Sequence, residues 1–187
     1  MNSDFEIQDT TLMDAKIIIP FCREDERGSF IKDFLLDFYN KNNLDSNLDE
    51  IFYAKNNAPN ILRGMHFAIK FPQAKIVRCI SGSIYDVIVD LRPNSPTYLK
   101  REGFYLTEEN NKVLYVPKGF AHGYLTLSPC IVSYKCSGKF VKEYDTGVIY
   151  NDKDFSITWP FMGSEIVISE KDKNLKTYAE MKDKIEY

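Results

Sequence analysis

Between about residues 61 and 150 the chain is a succession of short β-rich runs cut by turn signals, a rhythm that few folds accept. The runs are Ala74–Ile80, Ile84–Leu91, Tyr98–Leu106, Lys112–Val116, Gly123–Leu127 and Cys130–Cys136. Between them fall Ser81-Gly82-Ser83, Pro93-Asn94-Ser95-Pro96, Glu109-Asn110-Asn111, Pro117-Lys118-Gly119 and Ser128-Pro129. Strands repeating every 8–12 residues or so predict a mainly all-β fold, an antiparallel barrel or jelly roll rather than a parallel sheet. Two peripheral helices are expected beside it. One covers 30–40, where apolar residues recur at Phe30, Ile31, Phe34, Leu35 and Phe38; the other runs from Ser169 to Ile185, with Leu175, Tyr178, Met181 and Ile185 near one face. No repeat, low-complexity tract or linker divides the 187 residues, so a single domain spanning 1–187 is expected.

Composition excludes several classes of function. With 44% apolar and 27% charged residues and a net charge of −3, the chain reads as soluble and globular. No Lys/Arg cluster stands clear of acidic neighbours, so no nucleic-acid partner is expected. No stretch approaches the roughly 20 apolar residues needed to cross a bilayer. The start, Met1-Asn2-Ser3-Asp4-Phe5-Glu6, lacks the basic and apolar regions of a signal peptide. Cys22, Cys79, Cys130 and Cys136 form no CxxC pair and read as reduced cytoplasmic thiols, Cys79 and Cys136 as small buried hydrophobes.

Only two histidines occur, in Arg63-Gly64-Met65-His66 and in Phe120-Ala121-His122-Gly123. Imidazole is the side chain whose ordinary proton affinity lies near neutrality, so each is a candidate acid or base. Asp86 sits inside the apolar run Ile84-Tyr85-Asp86-Val87-Ile88-Val89-Asp90 and shares a face with Ile84, Ile88 and Asp90, a face that suits a partly polar barrel interior. A metal site built on two histidines and Asp86 has little support from spacing, and none is assigned. No G-x-S-x-G elbow and no Walker or Rossmann glycine loop is present. What remains is general acid–base chemistry with cationic support. Arg63, His66, Lys75 and Arg78 cluster across one turn, and Lys75 either snorkels outward or carries its charge into a pocket. A histidine base beside a lysine suits removal of a proton next to a ketone, the ammonium stabilising the enolate oxygen.

These blocks resemble the dTDP-4-dehydrorhamnose 3,5-epimerase family of cupin-fold enzymes. The resemblance runs through Ile61-Leu62-Arg63-Gly64-Met65-His66, Gln73-Ala74-Lys75-Ile76-Val77-Arg78, Tyr85 to Arg92, Ser95-Pro96-Thr97 and Val116 to Gly123. It continues in Tyr134-Lys135, Asn151-Asp152, Trp159-Pro160 and Ile168-Ser169-Glu170-Lys171-Asp172, reaches back to Asp25-Glu26-Arg27-Gly28, and covers about 15–175. It implies a metal-free, cofactor-free homodimer acting on a nucleotide-diphosphate 4-keto-6-deoxy sugar, in deoxysugar biosynthesis for surface polysaccharide or glycoconjugate. By position, His66 matches the catalytic base, Asp172 the carboxylate that orients it, Lys75 the enolate stabiliser and Tyr134 the acid on the opposite face. Arg63, His122 and Asp86 match the substrate site, and Arg27 a position near the nucleotide. Read without the resemblance, Ser169-x-x-Asp172 is a capping box and Tyr134 a strand aromatic.

The departures lie on the nucleotide side. Ile51-Phe52-Tyr53 stands where the family has Gln-x-Asn, Lys32 replaces a usual Glu, Lys139-Phe140 an aromatic pair, and Lys142 a Pro. Lost thymine-facing amides lead to the expectation that dTDP binds weakly and a CDP- or GDP-linked sugar is preferred. The other readings are a single-centre epimerase acting at C3 or C5 alone, and a non-catalytic cupin that binds a nucleotide sugar.

Overall fold

The computed structural model describes residues 5–161, 163 and 165–187; Met1 to Asp4, part of the start read above for signal features, lie outside them. Fourteen strands and three short helices are assigned along the described chain. In order they are β1 (Glu6–Asp9), β2 (Lys16–Ile19), β3 (Phe21–Asp25), β4 (Gly28–Lys32), α1 (Leu36–Lys41), β5 (Leu48–Asn56) and β6 (Ile61–Ala68). There follow β7 (Ala74–Ser81), β8 (Ser83–Asp90), β9 (Arg101–Thr107), β10 (Val113–Val116), β11 (Phe120–Thr126) and β12 (Cys130–Ser137). The chain ends with β13 (Asp145–Gly147), β14 (Val167–Ile168), α2 (Glu170–Lys173) and α3 (Tyr178–Met181).

The strands form the antiparallel jelly roll that the rhythm predicts. One sheet has the order β1-β2-β10-β7-β12-β5; the other runs β13-β6-β11-β8-β9, with β14 added in parallel to β6. Alternation decides what faces where. Val77 and Cys79 of β7, Leu114 and Val116 of β10 and Val132 of β12 meet Ile84 and Ile88 of β8 and Tyr124 of β11 between the sheets. The opposite face of the second sheet, with Leu62, Phe67, Val87 and Leu125, is covered by Phe155, Trp159, Tyr178 and Met181. The outer face of the first sheet, with Ile18, Ala74, Ile76 and Tyr115, is covered by Tyr39 of α1 and Leu44. As expected, Cys79 and Cys136 are buried.

Both helix expectations need correction. The first half of 30–40 is strand: Gly28, at φ +114°, turns the chain between β3 and β4, and Phe30 and Ile31 pair with Arg23 and Cys22. Only Leu36–Lys41 is helical, and a hairpin strand followed by a short helix had summed to a false helical period. The C-terminal segment breaks between α2 and α3. There the Lys176 carbonyl accepts a hydrogen bond from Ile149 N–H at 3.0 Å. A new start follows at Thr177, whose N–H and hydroxyl both donate to Glu180. Strands β1 to β6 lie outside the runs picked out by alternation. In β5 the outward Ile51 and Tyr53 are as apolar as the inward Phe52, and all three are exposed, so no alternation marks the strand.

Candidate active site

A cleft of about 360 Å³ opens between the sheets, lined from β5, β6, β7, β11 and β12. Two glycines bring β6 and β11 together beside it, and Gly123 lines it. The Arg63-Gly64-Met65-His66 strand and the Ala121-His122-Gly123 strand come so close that a Cβ on Gly64 would lie 2.6 Å from the Gly123 Cα, and one on Gly123 would lie 2.7 Å from the Met65 Sδ. Gly64 also sits at φ +127°, where side chains are rarely tolerated. The register slips between His122 and Tyr124, and the slip leaves His122 and His66 as direct cross-strand partners. Both histidines are therefore inside strands, not at turns, and are neighbours despite their separation in sequence.

Each imidazole has its own carboxylate. His66 Nε2 lies 2.8 Å from Asp172 Oδ1, and Asp172 Oδ2 accepts the Gly64 N–H at 3.3 Å. Asp172 opens α2, where the Ser169 hydroxyl accepts its N–H at 3.1 Å. The capping reading thus holds for Ser169, while the Asp172 carboxylate turns to His66. Burial opposes the Asp172 charge, but the hydrogen bond and charge of His66 hold its carboxyl below the usual range. His122 Nε2 lies 2.9 Å from both oxygens of Asp86, which points inward beside Ile84 and Ile88 as alternation predicts. Burial raises the Asp86 carboxyl above its usual range, against the pull of His122 and Lys75.

Lys75 points into the same cleft from β7. Burial lowers its ammonium, with Cys136, Asp145 and Asp86 counteracting. On β12, the neighbour of β7 in the same sheet, Tyr134 is buried, and burial lifts its phenol well above the usual value. Arg63 donates through Nε to Asn56 Oδ1 at 2.9 Å, and Asn56 in turn donates to the Tyr124 hydroxyl at 3.2 Å. An oriented imidazole, a half-buried cation and a phenol around one cavity form a set suited to moving protons at carbon.

His66, Lys75, Tyr134, Arg63 and His122 all line the cleft, with Asp172 and Asp86 directly behind the imidazoles. Arg27 does not reach it. Arg27 is exposed on the β3–β4 hairpin and is paired with Asp25 at 2.6 Å. Sequence reasoning gave no role to Glu50, Gln73, Tyr124, Cys136 or Asp145, which also line the cleft. For Cys136 and Tyr124 the signal was available in strand alternation with Tyr134 and His122. Among the described residues no group of three or more His, Cys, Asp or Glu is placed to hold a metal ion.

Residues 9–180 match the dTDP-4-dehydrorhamnose 3,5-epimerase family. The chain is 42% identical to the dTDP-4-dehydrorhamnose 3,5-epimerase of Methanothermobacter thermautotrophicus over 95% of this chain and 97% of that one. The structure of the Elizabethkingia anophelis enzyme of the same name superposes with a TM-score of 0.87 at 38% identity, covering 94% and 97% of the two chains. The dTDP-6-deoxy-D-glucose-3,5-epimerase of Legionella pneumophila, solved in complex with dTDP-4-keto-L-rhamnose, gives a TM-score of 0.89 at 32% identity, covering 94% and 93%.

Proposed function

The chain belongs to the dTDP-4-dehydrorhamnose 3,5-epimerase family, and from that premise we propose how its cleft inverts a dTDP-linked 4-keto-6-deoxyhexose in deoxysugar biosynthesis. His66, oriented by Asp172, removes the proton from the carbon beside the 4-keto group. The C–H pair moves into an enolate whose oxygen the Lys75 ammonium stabilises. Tyr134 then returns a proton from the other face, and the net change is configuration alone. Arg63, His122 and Asp86 shape the sugar and diphosphate end. The observation that carries this reading is the 2.8 Å His66–Asp172 contact in a cavity that also holds Lys75 and Tyr134. A non-catalytic binding module has no use for an oriented base beside a half-buried cation.

The expectation of a CDP- or GDP-linked sugar gives way. The relatives named above are dTDP-sugar enzymes. Of the altered residues, Ile51, Tyr53, Lys32, Lys139 and Lys142 do not line the cleft, while Phe52 and Phe140, which do, bring no polar group to select another base.

We further assign a homodimer acting in the cytoplasm, in a route to surface polysaccharide. The apolar exposed side chains of Ile51 and Tyr53 on edge strand β5 and of Phe30 on the β3–β4 hairpin support the dimer, and Arg27 would serve the neighbouring site from that hairpin. Sedimentation at about twice 21.7 kDa tests it. No helix of the described residues is long and apolar enough to cross a membrane.

Incubation with dTDP-4-keto-6-deoxyglucose in deuterated water, followed by NMR, tests the activity. Deuterium at both C3 and C5 is expected. Label at one carbon makes this a single-centre epimerase; no label from dTDP, CDP or GDP sugars makes it a binding protein.

A further inference from the structure

Tyr134 is placed by rings rather than by hydrogen bonds. It is stacked on Phe52, centroids 4.8 Å apart and planes 11° from parallel, and His122 meets it edge-on at 5.8 Å. No hydrogen bond among the described residues fixes its hydroxyl. Tyr124, in the same cleft, is tied by its hydroxyl to Asn56, and Tyr98 and Tyr178 are tied to each other at 2.6 Å. The phenol of Tyr134 is thus held by the two faces it packs against, one of them His122 in its sealed contact with Asp86.

Phe52 is the adjustable face. It is the cross-strand partner of Tyr134 on β5, which ends the first sheet and has one neighbour only. At 44% exposure a phenylalanine on an edge strand adds little to the core. What it covers is the plane of Tyr134, in a geometry that aromatic pairs favour. An amide or aliphatic side chain there would offer no such plane.

We propose that Phe52 is a positioning residue that sets the stereochemical outcome. Its ring holds the Tyr134 phenol where a proton delivered from it inverts the carbon. The inference rests on the epimerase reading above, with His66 as base and Tyr134 as acid. An enolate in this cleft has two fates. It regains a proton from the His66 side and returns to the starting configuration, or it takes one from Tyr134 and inverts; neither fate needs a co-reactant. The His66 side chain is 30% exposed, so the proton it holds exchanges with solvent, and each return leaves deuterium in unreacted sugar.

The test is the initial ratio of deuterium in unreacted dTDP-4-keto-6-deoxyglucose to inverted product. Misplacing a reacting group by about an ångström costs on the order of 10²-fold, so Phe52→Ala should raise the ratio at least about tenfold. Phe52→Leu, which keeps apolar bulk without a plane, should raise it too, and Phe52→Tyr should restore it to within about twofold. In a Tyr134→Phe background, Phe52→Ala should change nothing more, because the two act as one unit. If wild type exchanges no proton, the epimerase reading fails. If wild type exchanges but the ratio is unchanged in both the Ala and Leu variants, whatever their total rate, Phe52 has no part in positioning and the inference is overturned. Should Phe52→Ala not fold, the Leu variant decides.

Discussion

His66 and His122 are direct partners across β6 and β11, yet each is bonded through Nε2 to a different carboxylate, Asp172 at 2.8 Å and Asp86 at 2.9 Å. The two contacts differ in access. The His66 side chain is 30% exposed and that of His122 only 4%. A base must meet both substrate and solvent, whereas a sealed imidazole and carboxylate serve shape and charge.

That difference separates the two asparagine variants. His66→Asn should keep the fold and lower proton exchange by about 10²- to 10⁴-fold, the usual cost of losing a general base. His122→Asn should strike stability instead, because the shorter amide cannot keep the Nε2 contact with the buried Asp86 carboxyl, a loss of about 1–3 kcal/mol. Exchange kinetics and thermal melts on both variants read the contrast. Wild-type exchange in His66→Asn would remove His66 from the mechanism.

Asp172 carries a pH signature. Its carboxyl is held below the usual range in the folded protein, so it contributes stability above its unfolded value of about 4 and loses it as pH falls through the folded value. Wild type should therefore exceed Asp172→Asn in urea midpoint at pH 7, and the two curves should converge as pH falls through the folded value. The same variant should lose kcat far more than it raises KM, since the amide cannot hold the imidazolium formed in the step. A constant midpoint gap at all pH values would deny that the fold favours the ionised Asp172 carboxyl.

Much of the framework was legible because alternation and turn residues agree from Ala74 to Cys136, where every strand but the edge strand β9 is covered on both faces and the sheet has no free choice. Legibility failed where one strand is apolar on both faces, as in β5 with Ile51, Phe52 and Tyr53. It failed again where a hairpin and a short helix together imitate a helical period at Phe30 to Phe38. Within the site, Asp86 followed from strand periodicity, while for Lys75 the sequence left open whether it snorkels outward or enters the pocket. The pairing of His66 with Asp172, 106 positions later, left no trace in local spacing. It depends on where α2 docks against β6, a tertiary fact, and only the family resemblance pointed to it.

Lys75 should show function opposed to stability. Its ammonium is lowered by burial, so the charged form costs folding energy at neutral pH; the cost is relieved as pH rises through the folded value toward the unfolded one near 10. Lys75→Met should raise the melting temperature at pH 7 while lowering kcat by about 10²- to 10³-fold through loss of the enolate's charge partner. The gain in melting temperature should shrink between pH 7 and 10. A destabilised variant with normal kcat would assign Lys75 to packing.

Gly64 and Gly123 should tolerate no side chain. A Cβ on Gly64 meets Gly123 backbone at 2.6 Å, at a φ of +127° that side chains avoid. Gly64→Ala should cost about 1–3 kcal/mol from the backbone conformation alone, with the clash in addition. Because β6 and β11 would be forced apart, His66 and His122 should move with them and activity should fall more than stability. Denaturant melts with exchange rates measured on the folded fraction test this; a loss of stability alone would show that the bulge serves the fold and not the site.

Nucleotide choice turns on Phe52, the one residue of the altered Ile51-Phe52-Tyr53 stretch that lines the cleft, and on Ala54 beside it. Apolar groups cannot tell the amino group of cytosine or the edge of guanine by hydrogen bonding, but they accept the 5-methyl group of thymine. dTDP should therefore bind at least tenfold tighter than CDP or GDP, a gap of about 1.4 kcal/mol. UDP, which lacks that methyl, should lose about tenfold or more, the worth of one carbon in an apolar contact. Calorimetric titration of the four diphosphates measures all of this at once. Equal affinity for dTDP and UDP would place the methyl outside any contact. Tighter binding of CDP or GDP would mean that the altered Ile51-Phe52-Tyr53 stretch had changed the base after all.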